Sequence, residues 1–145
     1  GAATAASVTW LANGVWTLPI VDAPGDARMM RGYLDTSSTS QTTVTVSGLR
    51  AGSYDVYVYI DGDNKTYTRT ASYRLTAAGG GDTVVGVTDT ANVNFDGTFT
   101  QASGTPGNYV KFAITGDGFT LVATPVSGTN ATLRAPVNAI QIVPR

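Results

Sequence analysis

Seven tyrosines and two tryptophans are the side chains of this 145-residue chain best suited to meet a ligand. Tyr57 and Tyr59 stand two apart in the run Tyr54-Asp55-Val56-Tyr57-Val58-Tyr59-Ile60. A period of two places Tyr54, Val56, Val58 and Ile60 on one face of a strand and Asp55, Tyr57 and Tyr59 on the other. The aliphatic face belongs to a core, which leaves the tyrosine face open. Flat rings on an open sheet stack against the apolar faces of pyranose rings, while phenol, amide and guanidinium groups bind sugar hydroxyls. On the segment that follows, Tyr67 and Tyr73 extend such a platform, and Asn64 and Arg69 give it a polar rim. Trp10, Trp16 and Tyr33 complete the candidate ligand-binding set. The alternative for the tyrosines is that they cover a second layer of loops.

Asp61-Gly62-Asp63-Asn64 gathers hard oxygen donors in a tight turn. Asp61 and Asp63 could take part in a structural Ca2+ site, although the spacing of an EF-hand loop and its bidentate Glu are missing. The same residues make an ordinary hairpin turn. No cofactor is required by anything else in the chain.

Absent residue types exclude much chemistry. Without His or Cys there is no His-containing hydrolytic triad, thiol nucleophile, histidine zinc site or disulfide framework. All ten acidic residues are Asp. Most sit in turns, where carboxylates are typically solvated and structural; ten of them still leave open the spaced pair of a minimal Asp-dependent glycoside hydrolase, the lesser alternative. The expectation is a protein that binds and does not catalyse. A net charge of −1 gives no basic footprint for nucleic acid. No apolar run reaches the roughly 20 residues of a membrane span.

The elements that must position these residues are strands. Charged residues make up only 13% of the chain, and Thr, Ser, Gly, Ala and Val take their place, a composition of short strands and polar corners. Val8–Leu11 and Val15–Leu18 flank Asn13-Gly14, which predicts a hairpin pairing Leu11 with Trp16 and Trp10 with Thr17. That arrangement points the two tryptophans to opposite faces, so that one of them suffices for the core. Arg28–Asp35 is expected to be extended, Thr42–Ser47 a strand, and Thr66–Ala77 the hairpin partner of Tyr54–Ile60. Ala78-Gly79-Gly80-Gly81 is a turn. Further strands are expected at 82–87, 98–101, 109–115, 119–123 and 137–143. About ten short strands without helical periodicity predict an all-β fold, a β-sandwich or jelly roll of two antiparallel sheets. Residues 1–145 are expected to be a single module, and the start at Gly1-Ala2-Ala3 and the end at Arg145 suggest one excised from a larger secreted protein.

Ser47-Gly48-Leu49-Arg50-Ala51-Gly52-Ser53 leading into Tyr54-Asp55-Val56-Tyr57-Val58-Tyr59 resembles a strand pair of galactose-binding-like β-sandwich modules. Pro136–Val143 is similar to their closing strand, where the chain returns beside the first. Such modules are carbohydrate-binding modules appended to secreted bacterial glycoside hydrolases. The resemblance implies a jelly roll that binds plant or microbial polysaccharide, often with structural calcium, next to an attached catalytic domain. The exposed aromatics favour an extended chain across a sheet face, with β-glucan (cello-oligosaccharide, mixed-linkage glucan or xyloglucan) as the first expectation. The competing reading is a structural or adhesive sandwich of a bacterial surface protein.

Overall fold

The computed structural model describes residues 4–145; the Gly1-Ala2-Ala3 start lies outside them. In chain order the elements are β1 (Ser7–Leu11), β2 (Gly14–Thr17), α1 (Asp26–Arg31), β3 (Gly32–Asp35), β4 (Thr42–Ser47), β5 (Gly52–Tyr59), β6 (Arg69–Ala77), β7 (Asp82–Asp89), β8 (Tyr109–Gly116), β9 (Phe119–Gly128) and β10 (Ala139–Pro144). One sheet runs β1-β4-β9-β6-β7, a second runs β10-β5-β8, and β2 and β3 form a two-stranded ribbon. The pairings between these strands are all antiparallel. The fold is the all-β sandwich that the composition calls for.

Alternation builds the core. On β5, Tyr54, Val56 and Val58 are buried while Asp55, Tyr57 and Tyr59 are half-buried on the other face. Across the sandwich they share one apolar cluster with Val44 and Val46 of β4, Tyr73 and Leu75 of β6, and Leu121 of β9. Val110 and Phe112 of β8 join from beside β5. Val56, Val58 and Val110 have no exposed surface, and each such side chain contributes roughly 1.5–3 kcal/mol by leaving water. The triple-glycine turn closes the β6–β7 hairpin with Gly80 and Gly81 at φ +92° and +95°, backbone that only glycine adopts freely.

Two expected hairpins are instead crossings between sheets. β1 pairs with β4, setting Trp10 beside Val44, and β2 pairs with β3, setting Trp16 beside Tyr33. Asn13-Gly14 therefore joins two sheets. Neither residue takes the positive φ that a type I′ turn needs, and the Asn13 N–H donates to the Asp35 carbonyl at 3.1 Å. Likewise β5 and β6 lie in different sheets, so Asp61–Asn64 opens a crossover and not a tight turn between neighbours. The Arg28–Asp35 segment is extended only from Gly32 onward, because Asp26–Arg31 winds into a helix. No strand forms at 98–101, where Gln101 makes only an isolated bridge to Tyr109. β10 pairs with β5 and faces β1 across an apolar groove instead of hydrogen-bonding to it.

Candidate functional site

Three stretches of chain meet at one end of the sandwich and enclose a cleft of about 370 Å3. The β2–β3 ribbon supplies Trp16, Tyr33 and Asp35; the β5–β6 crossover supplies Asp63, Lys65, Tyr67 and Arg69; and the β9–β10 connection supplies Asn130, Thr132 and Arg134. Cross-bonds fix these loops to each other. Thr68 and Thr129 exchange two hydrogen bonds, Ala135 donates to Thr36 Oγ1 at 3.0 Å, and Leu34 bridges to Val137.

Arg69 is the centre of the cleft floor. The residue is 9% exposed. Its Nη1 donates to Asn64 Oδ1 at 2.9 Å and its Nε donates to the Thr132 carbonyl at 2.8 Å. The guanidinium lies 5.8 Å from the centre of the Tyr67 ring, within cation–π range. Asn64 is itself buried, and its Nδ2 donates to the Asp89 carbonyl at 3.1 Å. It therefore reaches a ligand only through Arg69. Beside them the Tyr33 hydroxyl accepts the Asp63 N–H at 3.2 Å, and burial pushes the Tyr33 phenol up to about 12, so it stays neutral. Asp35 pairs with Arg134 at 3.1 Å; burial raises its carboxyl above the usual range against the pull of that guanidinium. Trp16 is 58% exposed at the cleft wall and Tyr67 is 38% exposed. The cleft thus combines open aromatic surface with fixed donors and acceptors, the mixture a sugar needs.

A second aromatic surface lies on the outer face of β5 and β8. The register places Tyr59 opposite Tyr109 and Tyr57 opposite Lys111. Tyr109 stands 6.1 Å, centre to centre, from both Tyr57 and Tyr59, and Phe99 meets Tyr59 edge-on at 5.2 Å. Tyr59 donates to Gln141 on β10 at 2.9 Å, and the Lys111 ammonium sits 5.4 Å from the Tyr57 ring centre. Tyr57 and Tyr59 are brought together there as their spacing indicates.

The other candidate residues divide differently. Tyr73 does not extend the tyrosine face; it is fully buried in the opposite sheet, where its hydroxyl donates to the Pro136 carbonyl at 2.8 Å. Tyr67 and Arg69 belong to the cleft, as do Trp16 and Tyr33. Trp10 does not: with Val8, Leu34, Ile140 and Ile142 it lines a groove of about 240 Å3 between β1 and β10. Neither tryptophan is in the core, since Trp10 is 63% exposed.

Asp61 and Asp63 part company. Asp63 lines the cleft, whereas Asp61 lines a neighbouring hollow with Asp89, Asn94 and Asp96. Among the described residues no group of three or more acidic, His or Cys side chains gathers. Asp61 accepts the Phe95 N–H at 2.7 Å and Asp89 accepts the Gly62 N–H at 3.0 Å. Burial lifts the Asp61 carboxyl to about 7; burial together with the Asp61 charge lifts Asp89 to about 8. Paired carboxyls with raised pKa values also occur in glycoside hydrolysis. Here Asp61 is only 4% exposed, which leaves little of it to meet a substrate.

Tyr109, Phe99, Asn130 and Arg134 are additions to the candidate set. Tyr109 and Lys111 carry a usable signal, because they alternate on β8 as Tyr57 and Tyr59 do on β5. Asn130 and Arg134 carry none, since only the crossing of loops brings them to the cleft.

No protein-family model and no curated protein matches the chain. Among solved structures, TmCBM61 in complex with β-1,4-galactotriose is similar at 12% identity and a TM-score of 0.44, over 97% of this chain and 89% of that one. The enzymatically active domain of bacteriophage CBA120 tailspike protein 4 is similar at 12% identity and a TM-score of 0.37, over 95% of this chain and 19% of that one. The Macrobrachium rosenbergii nodavirus P-domain is similar at 14% identity and a TM-score of 0.29, over 94% and 92% of the two chains. These three TM-scores all lie below 0.5, and the chain's own strand order defines its class: an antiparallel β-sandwich with a loop-end cleft.

Proposed function

We propose that this protein is a non-catalytic carbohydrate-binding module of an extracellular protein, with the loop-end cleft as its sugar site. One observation carries the reading: Trp16 and Tyr67 stand exposed at the wall of a polar cleft whose floor holds Arg69, Tyr33 and Asp63. A sugar ring stacks on the open aromatic surface while its hydroxyls meet donors and acceptors already held in place. A volume of 370 Å3 lies at the small end of the roughly 300–1,000 Å3 range of ligand pockets. That favours a short stretch of a polysaccharide. Attached to a glycoside hydrolase, such a module keeps the enzyme at its substrate.

A different observation supports the β-glucan expectation. Tyr57 and Tyr59 on β5, Tyr109 on β8 and Phe99 before it form one half-exposed aromatic cluster, a surface suited to an extended cello-oligosaccharide, mixed-linkage glucan or xyloglucan chain.

Affinity electrophoresis through β-glucans, xylans, mannans and galactans, with and without Ca2+, tests both. Retardation lost in Trp16→Ala assigns the cleft, and retardation lost in Tyr57→Ala assigns the sheet face. Free migration through every gel overturns the carbohydrate reading and favours the structural or adhesive alternative. Release of soluble sugar from any of the polymers overturns the non-catalytic one.

A further inference from the structure

Arg69 is short of a partner. Arg28, Arg31, Lys111, Arg134 and Arg145 each lie within 4.0 Å of a carboxylate. Among the described residues, Arg69 is the buried cation for which no carboxylate lies that close. Its acceptors among the described residues are all neutral: the amide oxygen of Asn64 and the carbonyls of Thr132 and, at 3.4 Å, Asp63. These engage Nε and Nη1 and leave Nη2 without an acceptor among the described residues. A charge held out of water is normally balanced by an opposite charge. A guanidinium also presents a rigid planar fork that matches a carboxylate better than a hydroxyl.

The rest of the cleft agrees. Asp35 and Arg134 neutralise each other, so the charges left over are Lys65, Arg69 and Asp63. Two cations against one anion make a locally positive pocket on a protein whose net charge is −1. Long-range attraction does not draw polyanions to such a protein, so an anion held here is held by these groups.

We infer that the cleft selects an acidic sugar, a hexuronate unit whose carboxylate docks on Arg69 and whose ring stacks on Trp16. Asp63 and Asn130 then face its hydroxyls, and Lys65 stands at the rim beside the carboxylate. This rests on the carbohydrate reading of the same site and goes further by naming the ligand's charge.

The test compares polygalacturonate, alginate and glucuronoxylan with the same polymers after chemical reduction of their carboxyl groups to alcohols, by affinity electrophoresis and calorimetry on the intact protein. Binding to at least one acidic polymer, weakened tenfold or more by carboxyl reduction, is the expected result. Equal binding to the reduced polymer, or binding to neutral polysaccharides alone, overturns the inference and leaves the carbohydrate reading standing. Binding to no polysaccharide, acidic or neutral, overturns both. Arg69→Gln should lose the preference for the acidic form, with Arg69→Lys restoring part of it. Should Arg69→Gln fail to fold, the exposed Lys65→Ser variant must still reduce affinity for the acidic polymer several-fold without changing affinity for the reduced one. A Lys65→Ser protein that binds the acidic polymer as the parent does counts against the inference.

Discussion

Asn64 and Arg69 form a buried side-chain hydrogen bond of 2.9 Å, and the same amide donates to the backbone of Asp89 at 3.1 Å. One small side chain therefore ties the cleft's guanidinium to the end of β7. Asn64→Ala leaves a buried cation and a buried carbonyl each short of one partner, and a group orphaned in this way costs about 1–3 kcal/mol. The variant should melt several degrees lower, and any sugar affinity should fall several-fold because Arg69 is no longer held. Thermal denaturation followed by circular dichroism, alongside affinity electrophoresis, measures both. Unchanged melting would show that the Asn64 bond is not made in solution.

The two tryptophans should separate cleanly. Trp16 faces the cleft and Trp10 faces the groove between β1 and β10, and each is more than half exposed. Truncating an aromatic anchor in a binding site costs about 1.4 kcal/mol or more, which is tenfold or more in affinity. Trp16→Ala should therefore lower polysaccharide affinity about tenfold or more, while Trp10→Ala leaves it unchanged. Neither variant should shift the melting temperature much. The same loss from both substitutions would mean that the ligand does not sit in the cleft.

How far the sequence foretells this molecule depends on the range of the interaction. The alternation Tyr54–Ile60 identifies core and surface on β5 correctly, because side-chain direction along a strand is fixed by the backbone alone. The segments at Thr42–Ser47, 82–87, 109–115, 119–123 and 137–143 are strands for the same local reason. Pairing is another matter. Asn13-Gly14 and Asp61–Asn64 have the composition of tight turns, yet the chain leaves each by a different sheet, since burying Val44 and Tyr73 between two layers outweighs a local turn preference. That crossing carries Asp63, Tyr67 and Arg69 away from Tyr57 and toward Trp16 and Tyr33. The residue types of the cleft are therefore visible in the sequence, but not their assembly. Arg134 and Asn130 arrive from the far end of the chain and could not be connected to it without the fold.

Tyr73 gives a check on the core that is independent of any ligand. Its buried hydroxyl donates to the Pro136 carbonyl, and burial keeps the phenol neutral, well above its usual range. Tyr73→Phe should lower stability by about 1–2 kcal/mol, the worth of a buried hydrogen bond whose acceptor is left unpaired. Chemical denaturation reads the change directly, and sugar binding should persist.

The sharpest pH dependence should come from Asp61 and Asp89. Burial raises Asp61 to about 7, and burial with the neighbouring Asp61 charge raises Asp89 to about 8 against the weaker pull of the Arg69 guanidinium. In the unfolded chain they ionise near the ordinary carboxylate value of about 3.9. Between roughly pH 4 and their folded values the folded state binds more protons than the unfolded state, so stability falls as pH rises through that window. This is the reverse of a paired carboxylate, whose contribution is lost on acidification. For Asp61 alone the decline from pH 4 to pH 8 is at most about 4 kcal/mol. Melting temperature should accordingly be higher at pH 5 than at pH 8. Asp61→Asn keeps an oxygen to accept the Phe95 N–H but cannot ionise, so it should flatten the profile and raise stability at pH 8 relative to the parent. A parent melting curve that climbs from pH 5 to pH 8 would show that these carboxyls are ionised in the fold and have found a counter-charge.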